Sequence, residues 1–177
     1  MSSTAIARPG SDEYAPYYDT YISKVPDQDL HQLLASQVEV TCDMLSKVPE
    51  SEADVAYAPR KWTIKEVVGH MVDTERIMAY RLLRVSRGDK TPLPGFEQDD
   101  YVKGGNFQSR TMASLIEDFR LARASTLALL RGLDGATLNR RGVADGKPVS
   151  ARALAYIIAG HERHHVGILQ ERYRLLA

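Results

Sequence analysis

Three histidines have the type and spacing that metal chemistry asks for: His161 and His165 in the run HERHHVGILQ, and His70 in KWTIKEVVGHMVDTER. An α-helix turns about 100° and rises about 1.5 Å per residue, so residues four apart lie one above the other on a single face. His161 and His165 can therefore grip one ion together, and a third imidazole from another helix would complete a facial triad. Such a triad leaves coordination positions free for water or substrate, as catalytic sites require. With His161 at 0° on a helical wheel, Leu154, Ile157, Ile158, Ile168 and Leu169 fall between about −40° and +80°, and His165 at about +40°. Both rings thus occupy the centre of an apolar stripe, whereas His164, at about −60°, lies on its edge. Burying an imidazole costs free energy unless its nitrogens are paired. A shared ion would satisfy both rings; two core histidines held by ordinary hydrogen bonds are the alternative.

His70 is less cleanly placed. Relative to it, Ile64, Val67, Met71, Met78 and Leu82 spread over about +60° to +120°, which puts His70 at the border of the stripe and reads, taken alone, as a half-exposed ring. Glu75 projects at about +140°, among apolar neighbours where an unpaired carboxylate is expensive. It either orients a ligand histidine or binds a core-edge arginine such as Arg120 or Arg123. Asp73, at about −60°, falls on the charged face but within reach of the surroundings of His70.

Four long helical patterns must position these residues. The first runs from about Asp27 to Val48, with Pro49 just beyond it. The second opens on Thr63 and Glu66, a capping box that satisfies backbone donors of the first turn, and runs to about Arg87, where Gly88 stops it. The third spans about Arg110 to Arg131 and closes at Gly132; the fourth starts after the N-cap Ser150 and reaches the C-terminus. Between helices two and three lies GDKTPLPGFEQDDYVKGGNFQS, long for a helix–helix connection and so a candidate lid. Its Phe96, Asp99, Asp100 and Tyr101 are candidate substrate-binding residues, each with the ordinary alternative of loop solvation or aromatic packing. Asp145-Gly146 is a turn dipeptide that suits a small hairpin. The pattern predicts an all-α, four-helix-bundle protein with a long helix 2–helix 3 connection, one domain over 1–177 with 1–26 as an N-terminal arm.

Composition narrows the function. At 177 residues and 44% hydrophobic, the chain can bury one sizeable core. Lysine plus arginine and aspartate plus glutamate balance at 23 each, so no net field favours a polyanion, which argues against nucleic acid. Cys42, the single cysteine, has no internal disulfide partner. The N-terminal run lacks the pattern of a signal peptide, and no apolar stretch approaches the roughly 20 residues needed to span a bilayer. A cytoplasmic protein without a membrane partner is the expectation.

Lys61-Trp62-Thr63 leading through Glu66 to His70, Asp73 and Glu75, combined with HERHH in the last helix, resembles the DinB/YfiT-like family of small metalloproteins. The likeness runs from the first helix to the C-terminus, and the Tyr-rich leader is similar to the YfiT branch. The resemblance implies a four-helix bundle, one divalent ion per chain held by His70, His161 and His165, and often a homodimer. His164 matches no ligand position. Family members are regarded as metal-dependent hydrolases or as S-transferases that attach a low-molecular-weight thiol to an electrophile. Three neutral imidazoles leave the cation's charge available to acidify a bound water, to a pKa of about 7 on zinc, or a thiol. Nickel and zinc are the expected ions, and a small molecule, such as a low-molecular-weight thiol, the expected partner. Two other classes stay open: a non-catalytic metal-binding stress protein, and a metal-free helical interaction domain.

Overall fold

Amphipathic helices without a sheet large enough to cover them bury their apolar faces against one another. In the computed structural model, which describes residues 5–176, the chain enters through two 3-10 turns, Ser11–Glu13 and Pro16–Tyr18, and the short helix α1 (Asp19–Ile22). The long helix α2 (Leu30–Ser46) follows, then α3 (Glu50–Ala53), the long helix α4 (Ile64–Ser86), α5 (Gln98–Gly105) and a 3-10 turn, Phe107–Ser109. The long helix α6 (Met112–Arg131), α7 (Gly135–Leu138), the hairpin β1 (Arg141–Ala144)–β2 (Lys147–Ser150) and the long helix α8 (Ala151–Arg172) complete it. The four long helices form a bundle in which α4 packs on α6 and α8, and α2 packs on the same two. Consecutive long helices α2 and α4, and likewise α6 and α8, therefore stand on diagonals.

Local chemistry fixes the ends of these helices. Thr63 accepts a hydrogen bond from the Glu66 backbone N–H while the Glu66 carboxylate accepts one from the Thr63 N–H, the capping box expected from the sequence. Ser150 caps α8 by accepting from Ala153 N–H. Other ends move. The first helix begins at Leu30, because the Asp29 side chain accepts from Gln32 N–H and forms the N-cap. The third begins at Met112 behind the cap Thr111. The fourth ends at Arg172. The Asp145-Gly146 hairpin forms, with both turn residues at positive φ (52° and 69°), as a two-residue connection requires.

The long connection is not irregular throughout, since it contains α5 and the 3-10 turn. It is pinned where Phe107 lies against Gly69 of α4, so closely that a Cβ at Gly69 would collide with the Phe107 ring. The N-terminal arm is pinned as well. Gly160 of α8 admits the Tyr21 backbone to a position where a Cβ would overlap its carbonyl group. Arg8 donates to the carbonyls of Ile22 and Val25, Tyr156 donates its hydroxyl to the Ile6 carbonyl, and Arg152 donates to the Glu13 carboxylate. No helix among the described residues is long and apolar enough to cross a membrane.

Candidate metal centre

The facing of α4 and α8 brings His70, His161 and His165 together. One nitrogen from each can be chosen so that all three lie within 4.8 Å of one another, and all three rings are buried. Nε2 of His70 stands 3.0 Å from Nε2 of His161. Nδ1 of His165 is buried with no hydrogen-bond partner among the described residues. Burial holds the rings neutral: it lowers the His70 pKa to about 4 and the His165 pKa to about 2, and pushes His161 well below its ordinary value. Three neutral imidazoles at this separation, with a ring nitrogen of His165 left unsatisfied, fit a single borderline cation such as zinc or nickel. A hydrogen bond can join His70 to His161 but leaves Nδ1 of His165 without a partner among the described residues.

The half-exposed placement expected for His70 is corrected: the ring is 2% exposed. Trp62, just before α4, covers it at 4.8 Å between centroids, and the α8 histidines cover its other flank. Tyr173 holds Trp62 by donating its hydroxyl to the Trp62 carbonyl. His164 is half-buried and packs edge-on to Tyr21 and His165, outside the trio.

Glu75 lies on a different network. Its two carboxylate oxygens accept from Nε and Nη2 of Arg123, at 2.7 and 2.9 Å, and Thr126 donates to Oε1 at 2.9 Å. Arg123, 1% exposed, also approaches Glu162 at 2.8 Å and donates to the Leu34 carbonyl. Thr41 and Gln37 donate to Glu162 in turn. Of the two arginines named from the sequence, Arg123 is the partner, while Arg120 pairs with Glu39 on the surface. Asp73 is half-buried among Arg76, Arg110 and Asp118, and burial raises its pKa. Among the described residues it forms no ion pair with the two arginines and no hydrogen bond with the trio.

Two sizeable cavities reach the histidines, and a third of only about 10 Å³ touches His161 beside Thr74 and Glu75. The larger, roughly 370 Å³, opens on His70 and His161 and is walled by Tyr18, Tyr21, Thr74, Arg81 and Phe96. The second, roughly 330 Å³, opens on His165 and is lined by Trp62, Arg60, Lys61, Asp99 and Tyr173. Of the loop candidates, Phe96 thus lines the first and Asp99 the second. Tyr101 packs edge-on to Phe96 at 5.2 Å but is 46% exposed, and Asp100 is exposed and lines neither. Sequence reasoning missed the arm tyrosines, whose ring contact with His161 (Tyr21, 5.1 Å) spans most of the chain. It also missed Thr74 and Arg81. Their signal is the wheel itself, because they fall at about +40° and +20° from His70 on the same face.

The chain combines a bundle of four long helices with a buried imidazole trio that could hold one metal ion. A model of the DinB superfamily matches residues 28–169, and the chain belongs to that superfamily. Among solved structures it is similar to YfiT from Bacillus subtilis, described as a probable metal-dependent hydrolase with an unusual four-helix bundle topology. The two share 17% identity over 92% of this chain and 93% of that one, at a TM-score of 0.72. It is also similar to a mycothiol-dependent maleylpyruvate isomerase (14% identity, TM-score 0.66), covering 82% of this chain but only 61% of that one. A histidine-to-alanine mutant of such an isomerase gives 14% identity and a TM-score of 0.68, over 88% and 64%. At these identities the likeness concerns the fold. No curated protein matches the sequence.

Proposed function

We propose that this protein is a metal-dependent enzyme that joins a low-molecular-weight thiol to an electrophile, with His70, His161 and His165 as the ligands of one zinc or nickel ion. The observation that carries this reading is the buried, neutral trio reached by two separate cavities, which suits two reactants meeting at one centre. A divalent ion there would act as a Lewis acid, ionising a thiol that is otherwise only partly ionised near neutral pH. The chain's own groups do the rest. Trp62 and Tyr21 pack against the rings and hold them in place, and Asp99 faces the His165 side. Conjugation forms a sulfur–carbon bond, expels the leaving group and releases the thiol proton to solvent. The description of one structural neighbour as thiol-dependent is in keeping with this class. A cytoplasmic setting, where small thiols are abundant, and a homodimer complete the reading; exposed Tyr80, Leu83 and Leu121 on α4 and α6 offer the dimer an apolar surface.

The test is a conjugation screen with small thiols and 1-chloro-2,4-dinitrobenzene on zinc-, nickel- or cobalt-loaded protein purified without a histidine tag. Metal-dependent conjugation, with a sulfur-to-metal charge-transfer band on adding thiol to the cobalt form, is the expected result. Metal-dependent hydrolysis of esters or amides without thiol would instead make water the nucleophile, the reading that YfiT's description favours. Neither activity at confirmed occupancy would leave a non-catalytic metal-binding role, and absence of stoichiometric metal would leave a helical interaction domain.

A further inference from the structure

Arg81 is 3% exposed, yet no carboxylate among the described residues forms an ion pair with it. The other buried cations among the described residues are compensated: Arg123 by Glu75 and Glu162, Lys65 by Glu50 and Asp54. Arg81 Nη1 meets the Tyr18 hydroxyl at 3.4 Å and the Met78 sulfur at 3.8 Å, Nη2 donates to the Pro94 carbonyl at 2.7 Å, and the guanidinium lies 5.8 Å from the Phe96 ring centroid. Tyr18, Met78 and Phe96 are walls of the larger cavity, so the charged end stands at that wall. A buried, unpaired guanidinium is costly, and its planar fork is shaped to receive a carboxylate. A second observation points the same way. Thr74, also 3% exposed and lining that cavity, has a buried hydroxyl with no hydrogen-bond partner among the described residues.

We propose that Arg81 is the anion-recognising residue of the larger cavity and that the ligand taken there carries a carboxylate on an apolar or aromatic body, with Thr74 hydrogen-bonding it midway to the histidines. This rests on the reading of the trio as the reactive centre and names the class of its electrophilic substrate. His70, Thr74 and Arg81 form one polar strip along α4. Eleven residues separate the Cα atoms of His70 and Arg81 by about 16 Å, and both side chains lean toward the N-terminus of α4, so a separation of that order persists between ring and guanidinium. A carboxylate held at Arg81 and a reacting carbon at the histidines would stand at the two ends of that span, with Thr74 between them. The aromatic and Met78 walls set the apolar middle. Glu97, Asp145 and Lys147, the other charged lining residues, are all exposed. The one deep charge is therefore positive.

The experiment uses 4-phenylbutyrate and its neutral amide, titrated into the metal-free full chain by calorimetry and followed by the arginine side-chain NMR signals. Metal-free protein removes direct coordination of the carboxylate. The wild type should bind the carboxylate at least tenfold more tightly than the amide, with the Arg81 Nε signal shifting. Arg81→Met, which keeps the apolar stem, should erase that ratio, and Arg81→Lys should restore part of it. Equal wild-type affinity for acid and amide, or a preference that persists in Arg81→Met, would overturn the assignment. Should Arg81→Met fail to fold, the wild-type ratio and the Nε shift decide. Carboxylate preference without any thiol conjugation would sink the reaction class and keep the subsite; conjugation equally fast with neutral and carboxylate-bearing electrophiles would do the reverse.

Discussion

His164 and His165 are adjacent in sequence, yet α8 turns only one of them onto its partner on α4. Alanine at His70, His161 or His165 is expected to abolish stoichiometric metal, whereas His164→Ala should leave it nearly intact; elemental analysis of each purified variant reads this directly. Loss of metal from the His164 variant with retention in the His165 variant would undo the ligand assignment. Glu75 belongs to a different test. Because both its oxygens serve Arg123 and Thr126, Glu75→Gln should lower stability by roughly 1–3 kcal/mol, the range for losing a buried charged hydrogen bond. Arg123→Met should cost more, about 3–5 kcal/mol, since it strands two buried carboxylates at once. Denaturant melts rank the two; a drop in metal affinity of about 10- to 100-fold in Glu75→Gln with no loss of stability would return Glu75 to a role in orienting the ligands.

Among the elements, the N-terminal arm has the clearest physical handle. The Arg152 guanidinium lowers the Glu13 pKa to about 2 from an ordinary 4.5. A carboxylate with a depressed folded pKa stabilises above the unfolded value, and that contribution is lost as pH falls from about 4.5 toward 2. Acidification through this window should loosen the arm, seen as rising protease cleavage of residues 5–25, and Glu13→Gln should show the looseness at neutral pH. Gly160→Ala should do the same by displacing the Tyr21 backbone, at a cost of roughly 1–3 kcal/mol.

The long helices were legible because their signals are local: a capping box at Thr63, glycines after the last turns, apolar residues at helical spacing. The histidine pair was legible for the same reason, lying within one helix. What the sequence hid is tertiary. Trp62 and α8 cover His70 from outside its own wheel, Arg123 answers Glu75 across the bundle, and α5 is too short and too glycine-rich at its end to show a period. The arm tyrosines Tyr14, Tyr17, Tyr18 and Tyr21 do recur at helical spacing, but the segment is short and its spacing does not say what it docks on; α8 decides that.

For the whole molecule, the core holds independently of any ion. Two large apolar clusters, one around Leu30, Leu82, Leu154 and Ile157 and the other around Leu45, Met71, Leu115 and Phe119, fill the bundle. Chelation should therefore leave the helical circular dichroism essentially unchanged while removing activity; collapse of that signal would make the site structural. The dimer reading predicts twice the chain mass in analytical ultracentrifugation, falling to one in Leu121→Glu. Unaltered mass in that variant would place the interface elsewhere.

Synthesis on the ribosome meets an ordering problem that the arm creates. Ile6 and Glu13 find their partners Tyr156 and Arg152 some 150 and 139 residues later. At roughly 5–20 residues per second the arm waits on the order of ten seconds for α8 to be made, exposing its tyrosines meanwhile. His70 waits about two-thirds as long for His161, 91 residues further on. If the trio is the proposed metal site, capture of its ion is a late event in the life of each nascent chain, and stalled chains released before α8 should be protease-sensitive in the arm and retain no ion.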